Sequence, residues 1–400
     1  MKKIEYTTIK GKSLPFFALL GGLGFIILLG LLSTWHMEHS GHWVTGMTNQ
    51  IVWGMPHVFA IFLIVAASGA LNVASIASVF NKKLYEPLAR LSALLALALL
   101  AGGLVVLLLD LGRPDRLIVA ITYYNFKSIF AWNIILYSGF FAIVGVYIWT
   151  MMDHGVYKFK RIAGISAFIW RLVLTTGTGS IFGFLVARSA YDAAIMAPMF
   201  IIMSFSFGLA VFILVLLASY NWTERELGDV IVNRLRNLLG VFVAAVMYFV
   251  IVFHLTNLYA TQHHDVESFF LLDGGIFTNL FWFGQIFAGS LIPLALIYAP
   301  GVKNCRKSLA TACLLVILGG MIQLYIILIG GQAYPLEIFP GYEVSSTFFD
   351  GVINTYTPSI YEIALGVSGV ALSMAIVVFA VRALKFLPTS LADSVADPHA

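Results

Sequence analysis

Residues 88–109 read LARLSALLALALLAGGLVVLLL, and the next seven, Asp110 to Arg116, read DLGRPDR. The apolar stretch carries one charge, Arg90, near its start. A helix needs about 20 such residues to cross a hydrocarbon core ~30 Å thick. The stretch lacks the alternation of a half-buried strand, so it reads as one membrane-spanning helix with a sharp polar stop.

The same pattern recurs on both sides of it. Apolar runs of spanning length lie at Leu14–Trp35, Pro56–Phe80, Leu88–Leu109, Ile129–Met151, Ile162–Ala187, Ala193–Ala218, Leu238–Ala260, Ile276–Ala299, Leu309–Gly330 and Ser359–Val381. Hydrophobic residues make up 60% of the chain and charged ones 10%, against about 25% charged in soluble domains. There is too little polar surface to clothe soluble domains of this total length. No ten-residue alternating segments appear, which excludes a β-barrel. The fold class is an all-α polytopic membrane protein with ten transmembrane helices.

Lysine and arginine orient it. Assigning the loops alternately to two sides puts Arg113, Arg116, Lys127 and Arg188 on one side and 18 cations on the side of the termini, with Arg171 inside a span. Positive charge marks the cytoplasmic side. Both termini are therefore expected in the cytoplasm, with the chain in a bacterial inner membrane. The first span follows a lysine-rich start and reads as a retained signal anchor. The net charge of +4 reflects the cytoplasmic loops and does not point to nucleic acid. Cys305 and Cys313 are too few to hold an iron–sulfur cluster or a tetrahedral zinc by themselves. Ala66, Ala70, Ala74 and Ser78 recur every four residues, a small-residue stripe suited to close helix approach.

Polar groups are costly in a membrane and therefore informative. Most gather at the outer ends of spans two to four. His57 opens span two, and Asp110 ends span three ahead of Arg113 and Pro114. Tyr123, Tyr124, Asn125, Lys127 and Ser128 lead into span four, which carries Trp132 and Asn133. Such a set suits a quinone pocket: His and Asp accept the protons of quinol oxidation, and aromatic walls hold the ring. The competing reading is an interfacial belt with charged residues paired at helix ends. Asp110 and Arg113 are expected to pair, with Gly112 and Pro114 forcing the turn.

Elsewhere, His254 and Asn257 lie three apart on span seven and are expected to form a hydrogen-bonded polar face. Haem needs axial pairs inside the membrane, and only His57 and His254 lie within spans, so no haem is expected. His36, His39 and His42 have metal-like spacing without a carboxylate shell, and no metal is expected. Arg171, Thr175 and Thr178 share one face of span five and form a candidate proton route. The alternative is that Trp170 marks the interface and Arg171 snorkels to it. Glu362, one turn into span ten, is expected to face a partner subunit.

Trp53-Gly54-Met55-Pro56-His57 opening a helix, Asp110-Leu-Gly-Arg113-Pro114, and Asn125-Phe-Lys-Ser128 before Trp132-Asn133 together resemble the NrfD-type polysulfide-reductase membrane subunits. These motifs cover spans two to four; Arg188–Phe200 and Phe281–Leu296 match more weakly. The ten-span layout resembles in particular the membrane subunits of Dsr-type complexes of dissimilatory sulfur metabolism. The resemblance implies two four-helix bundles, residues 51–188 and 189–333, with flanking helices at 14–35 and 359–382. It implies menaquinone or ubiquinone bound non-covalently at the outer side of the first bundle, and no haem or iron–sulfur cluster held by this chain. Electrons would be exchanged with an extracytoplasmic ferredoxin-like iron–sulfur subunit, alongside other membrane and cytochrome subunits. His57, Asp110 and Asn133 are the implied quinone residues, with Tyr123 and Tyr124 as neighbours. Some family members carry His at the place of Asp110 and Asp at that of Asn133, which leaves open which group takes the proton. Two other classes compete. A secondary transporter would show broken helices and a charged midplane, whereas these spans are nearly charge-free. A passive anchor would use the rim only for docking.

Overall fold

The computed structural model describes residues 4–301, 305–336 and 351–396. Among them, ten helices are long and apolar enough to cross a membrane: Leu14–Ser40, Met55–Ser78, Lys83–Leu109, Ile129–Met152, Tyr157–Gly183, Met196–Trp222, Asp229–Tyr259, Ile276–Tyr298, Arg306–Ala333 and Ile360–Ala383. They are numbered here as spans one to ten. All ten apolar runs of the sequence are helices. The charged segment 219–237 is also mostly helical, because spans six and seven run on past their apolar parts. Once a helix is nucleated, each added residue gains a backbone hydrogen bond, so hydropathy alone underestimates its length.

Spans two to five pack in a ring, each against its neighbours, and spans six to nine form a second ring. Spans two and six join them. A Cβ placed on Gly69 would lie 1.6 Å from the Ser204 carbonyl oxygen, and one on Gly208 would lie 2.2 Å from the Gly69 carbonyl carbon. Only residues without side chains permit that crossing. Ala66 and Ala70 flank it, and Ser78 meets Gly164 of span five farther along, so the alanine stripe is used for close approach. Span two is the innermost helix, 83% buried along its apolar window, and span one the most peripheral at 11%. Span ten packs on spans two and three, and span one on span ten.

Span two is interrupted at Leu71. The Ser92 hydroxyl of span three donates to the Ala70 carbonyl at 2.7 Å and accepts from the Ala74 amide at 3.0 Å. A side chain inserted into a helical ladder is a recognised cause of a bend. Tyr6–Thr7 pairs antiparallel with Leu387–Pro388, which places the two ends of the described chain on one face, termed the terminal face. The opposite, or rim, face carries His57.

Candidate functional site

The site starts from a loop. Residues 46–54 bring the chain into span two, and buried side chains from distant spans hold them. Gln332 at the end of span nine accepts from the amides of Val52 at 2.9 Å and Trp53 at 3.0 Å, and donates to the Trp53 carbonyl at 3.1 Å. Arg188, between the two rings, donates to the carbonyls of Gln332 and Gln50; burial holds its guanidinium below the usual arginine range. Tyr356 accepts from the Met55 amide and donates to Glu362, each at 2.6 Å. Burial and the Glu362 carboxylate push that phenol up. The second Glu362 oxygen accepts from the amides of Gly46 and Ser359, each at 2.7 Å. Glu362 is thus fully buried and ties down the loop, which corrects the expectation that it faces a partner.

This scaffold fixes His57 in the first turn of span two, behind Pro56. Nδ1 of His57 lies 2.7 Å from Oδ2 of Asp110, whose side chain is completely buried. The approach is off the hydrogen-bonding axis. Among the described residues, neither Asp110 oxygen nor His57 Nδ1 has an aligned partner. The pair is thus in contact while its acceptor capacity is unspent. A buried carboxylate in that state is costly, and a hydroxyl-bearing ligand would satisfy it.

Aromatic rings wall the approach. Trp53 stacks near His57, with centroids 6.3 Å apart, and meets Phe130 and Phe182, each at 6.0 Å. Gly112, just past Asp110, has φ +69° and faces His42 Nε2, 3.2 Å from where a Cβ would lie. The sharp turn there needs a residue that accepts positive φ without strain.

The expected ion pair between Asp110 and Arg113 is absent. Arg113 bonds Asp115 in a bidentate pair at 3.0 Å, both side chains largely exposed, and this guanidinium holds the Asp115 carboxyl below the usual carboxylate range. The left-handed Gly112 turns the backbone away from Asp110, and a residue two positions on is the nearer partner. Pro114 opens a short turn, Pro114–Arg116, as the sequence reading required.

The remaining expected residues divide. Tyr123 is 84% exposed and does not join His57. Tyr124 buries its hydroxyl with no partner among the described residues. Ser128 caps span four, and Trp132 donates to the Phe126 carbonyl. Asn133 is buried, donating to the Ile129 carbonyl and accepting from Thr178 at 3.5 Å.

Arg171 does not snorkel. It is 2% exposed, halfway along span five, with its guanidinium over the rings of Phe168 and Phe205 at 5.0 and 4.9 Å. It donates to the Ser68 carbonyl, and Thr175 donates to the Ser68 hydroxyl at 2.6 Å. Trp170 marks no interface, since its indole donates to the Leu136 carbonyl of span four. The midplane is therefore not charge-free. His36, His39 and His42 diverge, toward Tyr361, Trp35 and Glu38 respectively. Among the described residues no three His, Cys, Asp or Glu converge as metal ligands.

Sequence reasoning missed Gln332, Arg188 and Ser68 as parts of this scaffold, and used Trp53 only as part of a motif. Gln332 carried a usable signal, a polar amide at the end of an apolar run. Ser68 carried none.

Comparison with known proteins supplies the family. Over 397 residues, 98% of this protein and 99% of the relative, it is 28% identical to the Hdr-like menaquinol oxidoreductase integral membrane subunit of Archaeoglobus fulgidus. It is 25% identical to a selenate reductase subunit of Mesobacillus selenatarsenatis, over 85% of its own length and 87% of that one. It is also 25% identical to a polysulfide reductase chain of Wolinella succinogenes, over 72% of its own length and 96% of the relative. Residues 43–335 match the family described as Polysulphide reductase, NrfD, a stretch holding both rings of spans, the rim site and its Gln332 support, so the protein is a multi-pass integral membrane protein that belongs to the NrfD polysulphide reductase family.

Proposed function

We propose that this protein is the quinone-interacting membrane subunit of a multisubunit oxidoreductase of sulfur metabolism. It exchanges electrons between the membrane quinone pool and an iron–sulfur subunit docked on the rim face. In this reading the rim face is extracytoplasmic and both termini are cytoplasmic, as the charge asymmetry favours. The two four-helix rings are its functional units, the first carrying the quinone site. The supporting observation is the His57–Asp110 pair: a buried carboxylate with unspent acceptor capacity, in contact with an imidazole beside an aromatic wall.

Quinol brings two electrons and two protons per molecule. Asp110 accepts the hydrogen bond of one hydroxyl and orients the head group. His57 takes up proton charge against Asp110, so that neither group is left as an isolated buried ion. Trp53, Phe130 and Phe182 keep water from the ring. Asn133 stands deeper on span four, and its link to Thr178 leads to Thr175, Ser68 and Arg171. We assign that stripe as the proton route toward the terminal face.

The test is quinol oxidation by the purified complex with a short-chain menaquinol. His57→Ala should lower kcat/KM by roughly 10²-fold or more, the usual scale for a positioned acid–base group, while the complex still assembles. Unchanged turnover and inhibitor binding in an assembled variant would remove His57 from the site.

A further inference from the structure

The second ring holds a buried carboxylate–imidazole pair of its own, which the rim site does not use. Glu267 lies in the short helix His264–Ser268 after span seven and has no solvent exposure. One of its oxygens is 2.6 Å from His254 Nδ1, and the other accepts from the Asn257 amide at 2.8 Å. Unlike Asp110, this carboxylate has both oxygens engaged by aligned partners. It is therefore not waiting for a ligand hydroxyl.

The imidazole retains a free side. With Nδ1 on Glu267, Nε2 is the nitrogen left to meet a cavity of about 30 Å³ that His254 lines together with Gln285 and Gln323. A water needs roughly 10–15 Å³ on this measure and two to four polar partners, so one or two waters fit. Gln285 and Gln323 are 6% and 3% exposed. Both border the cavity, where water would satisfy their side-chain amides, as buried amides require. A second cavity of about 10 Å³ shares both glutamines and continues inward to Ser206 and Ser290. The segments Leu280–Leu291 and Ile326–Gly330 along these cavities are π-helical, a rare form frequently found at functional sites.

We propose that Glu267, His254 and the two glutamines form a hydrated proton-exchange site, running from the rim face toward the middle of the second ring and separate from the quinone site. A proton delivered by cavity water binds Nε2, making an imidazolium that pairs with the Glu267 carboxylate. The same proton leaves by the reverse step, and no bond other than N–H and O–H changes. Around the pair, His264 is engaged with the Leu258 carbonyl and Asp273 accepts from Ser268. His263 is buried nearby on the connecting turn, and no lysine or arginine lines either cavity. Among the described residues the cavity side of the pair thus carries no lysine or arginine.

The experiment is infrared difference spectroscopy of the intact complex between acidic and alkaline pH, in water and in deuterated water. His254 should contribute imidazole bands that shift on deuteration, and Glu267 carboxylate bands that change with them; the carboxylate bands should disappear and the imidazole bands shift in Glu267→Gln. Gln285→Leu and Gln323→Leu keep the pair and replace the water-binding amides, and they should slow deuterium exchange of those bands by roughly an order of magnitude. They should leave menaquinol oxidation unchanged, because neither residue belongs to the quinone site. Bands identical in wild type and Glu267→Gln overturn the proposal. If Glu267→Gln does not assemble, exchange at the wild-type rate in both leucine variants overturns it alone. Loss of quinol oxidation in His57→Ala leaves this result untouched, so the two readings fail independently.

Discussion

The guanidinium of Arg188 donates to the main-chain carbonyl of Gln332 at 3.1 Å, while the Gln332 side chain holds the amides of Val52 and Trp53. A residue between the two rings and one at the end of span nine thus set the position of the turn that opens span two. The placement of His57 depends on the second ring as much as on the first.

Gln332→Ala should therefore act at a distance. It leaves two loop amides without an acceptor, a cost of about 1–3 kcal/mol, and frees Trp53 to move. The expected outcome is a lower melting temperature in detergent and a raised KM for menaquinol with a smaller change in kcat. Unaltered KM with lowered stability would mean that the clamp supports the fold alone.

Asp110 and Arg113 should separate cleanly. Asp110→Asn keeps the size and removes the carboxylate beside His57, and should depress quinol oxidation by roughly 10²-fold, the scale of a positioned acid–base group. Arg113→Ala removes only the partner of an exposed aspartate, so turnover should stay within about twofold, as exposed pairs contribute little. Equal loss in both variants would restore the pairing that the sequence suggested.

Arg171 tests the proton route of the first ring. Arg171 has no carboxylate partner among the described residues and donates only to the Ser68 carbonyl, so Arg171→Met strands no buried counter-charge and should assemble. The expected change is a smaller number of protons moved per electron in reconstituted vesicles, with quinol oxidation retained. An unchanged ratio would leave the Arg171 stripe a packing element.

Cys305 reports orientation. It is exposed just before span nine, whereas Cys313 is buried about two turns into the helix. The amides of Ser308 and Lys307 hold the Cys305 thiol below its ordinary value. Its thiolate therefore persists to lower pH than that of a free cysteine, and alkylation should level off at a correspondingly lower pH. A membrane-impermeant maleimide should label Cys305 only from the cytoplasmic side. Labelling from outside in intact cells would invert the assigned topology.

The apolar runs made the ten spans legible, because lipid allows a crossing backbone few alternatives to a helix. His57 and Asp110 were legible as members of one rim cluster, because each stands at a helix end facing a shared mouth, but their contact was not, since the sequence paired Asp110 with Arg113. The partner of Arg113 was not, since a single positive φ at Gly112 decides whether it meets Asp110 or Asp115. The snorkelling alternative for Arg171 failed for a different reason. Trp170 is a usual interfacial marker, but depth along a span depends on where its helix begins, and span five starts at Tyr157, ahead of its apolar run. Glu362 was invisible as a loop anchor because one partner is a main-chain amide far away in sequence, at Gly46, and a main-chain amide leaves no mark on residue type.

The pairing of Tyr6–Thr7 with Leu387–Pro388 has a consequence for biogenesis. The tail that supplies the second strand also accepts, at the Pro388 carbonyl, from Tyr220 and Arg225, and Leu391 donates to the Glu226 carbonyl. The first strand leaves the ribosome before the ten spans described here, and its partner emerges only after the last of them. Throughout insertion the leading segment must wait unpaired, and the link between spans six and seven waits with it. Closure of this latch is then the last step of folding on that face, and it occurs only in a polypeptide translated through all ten spans.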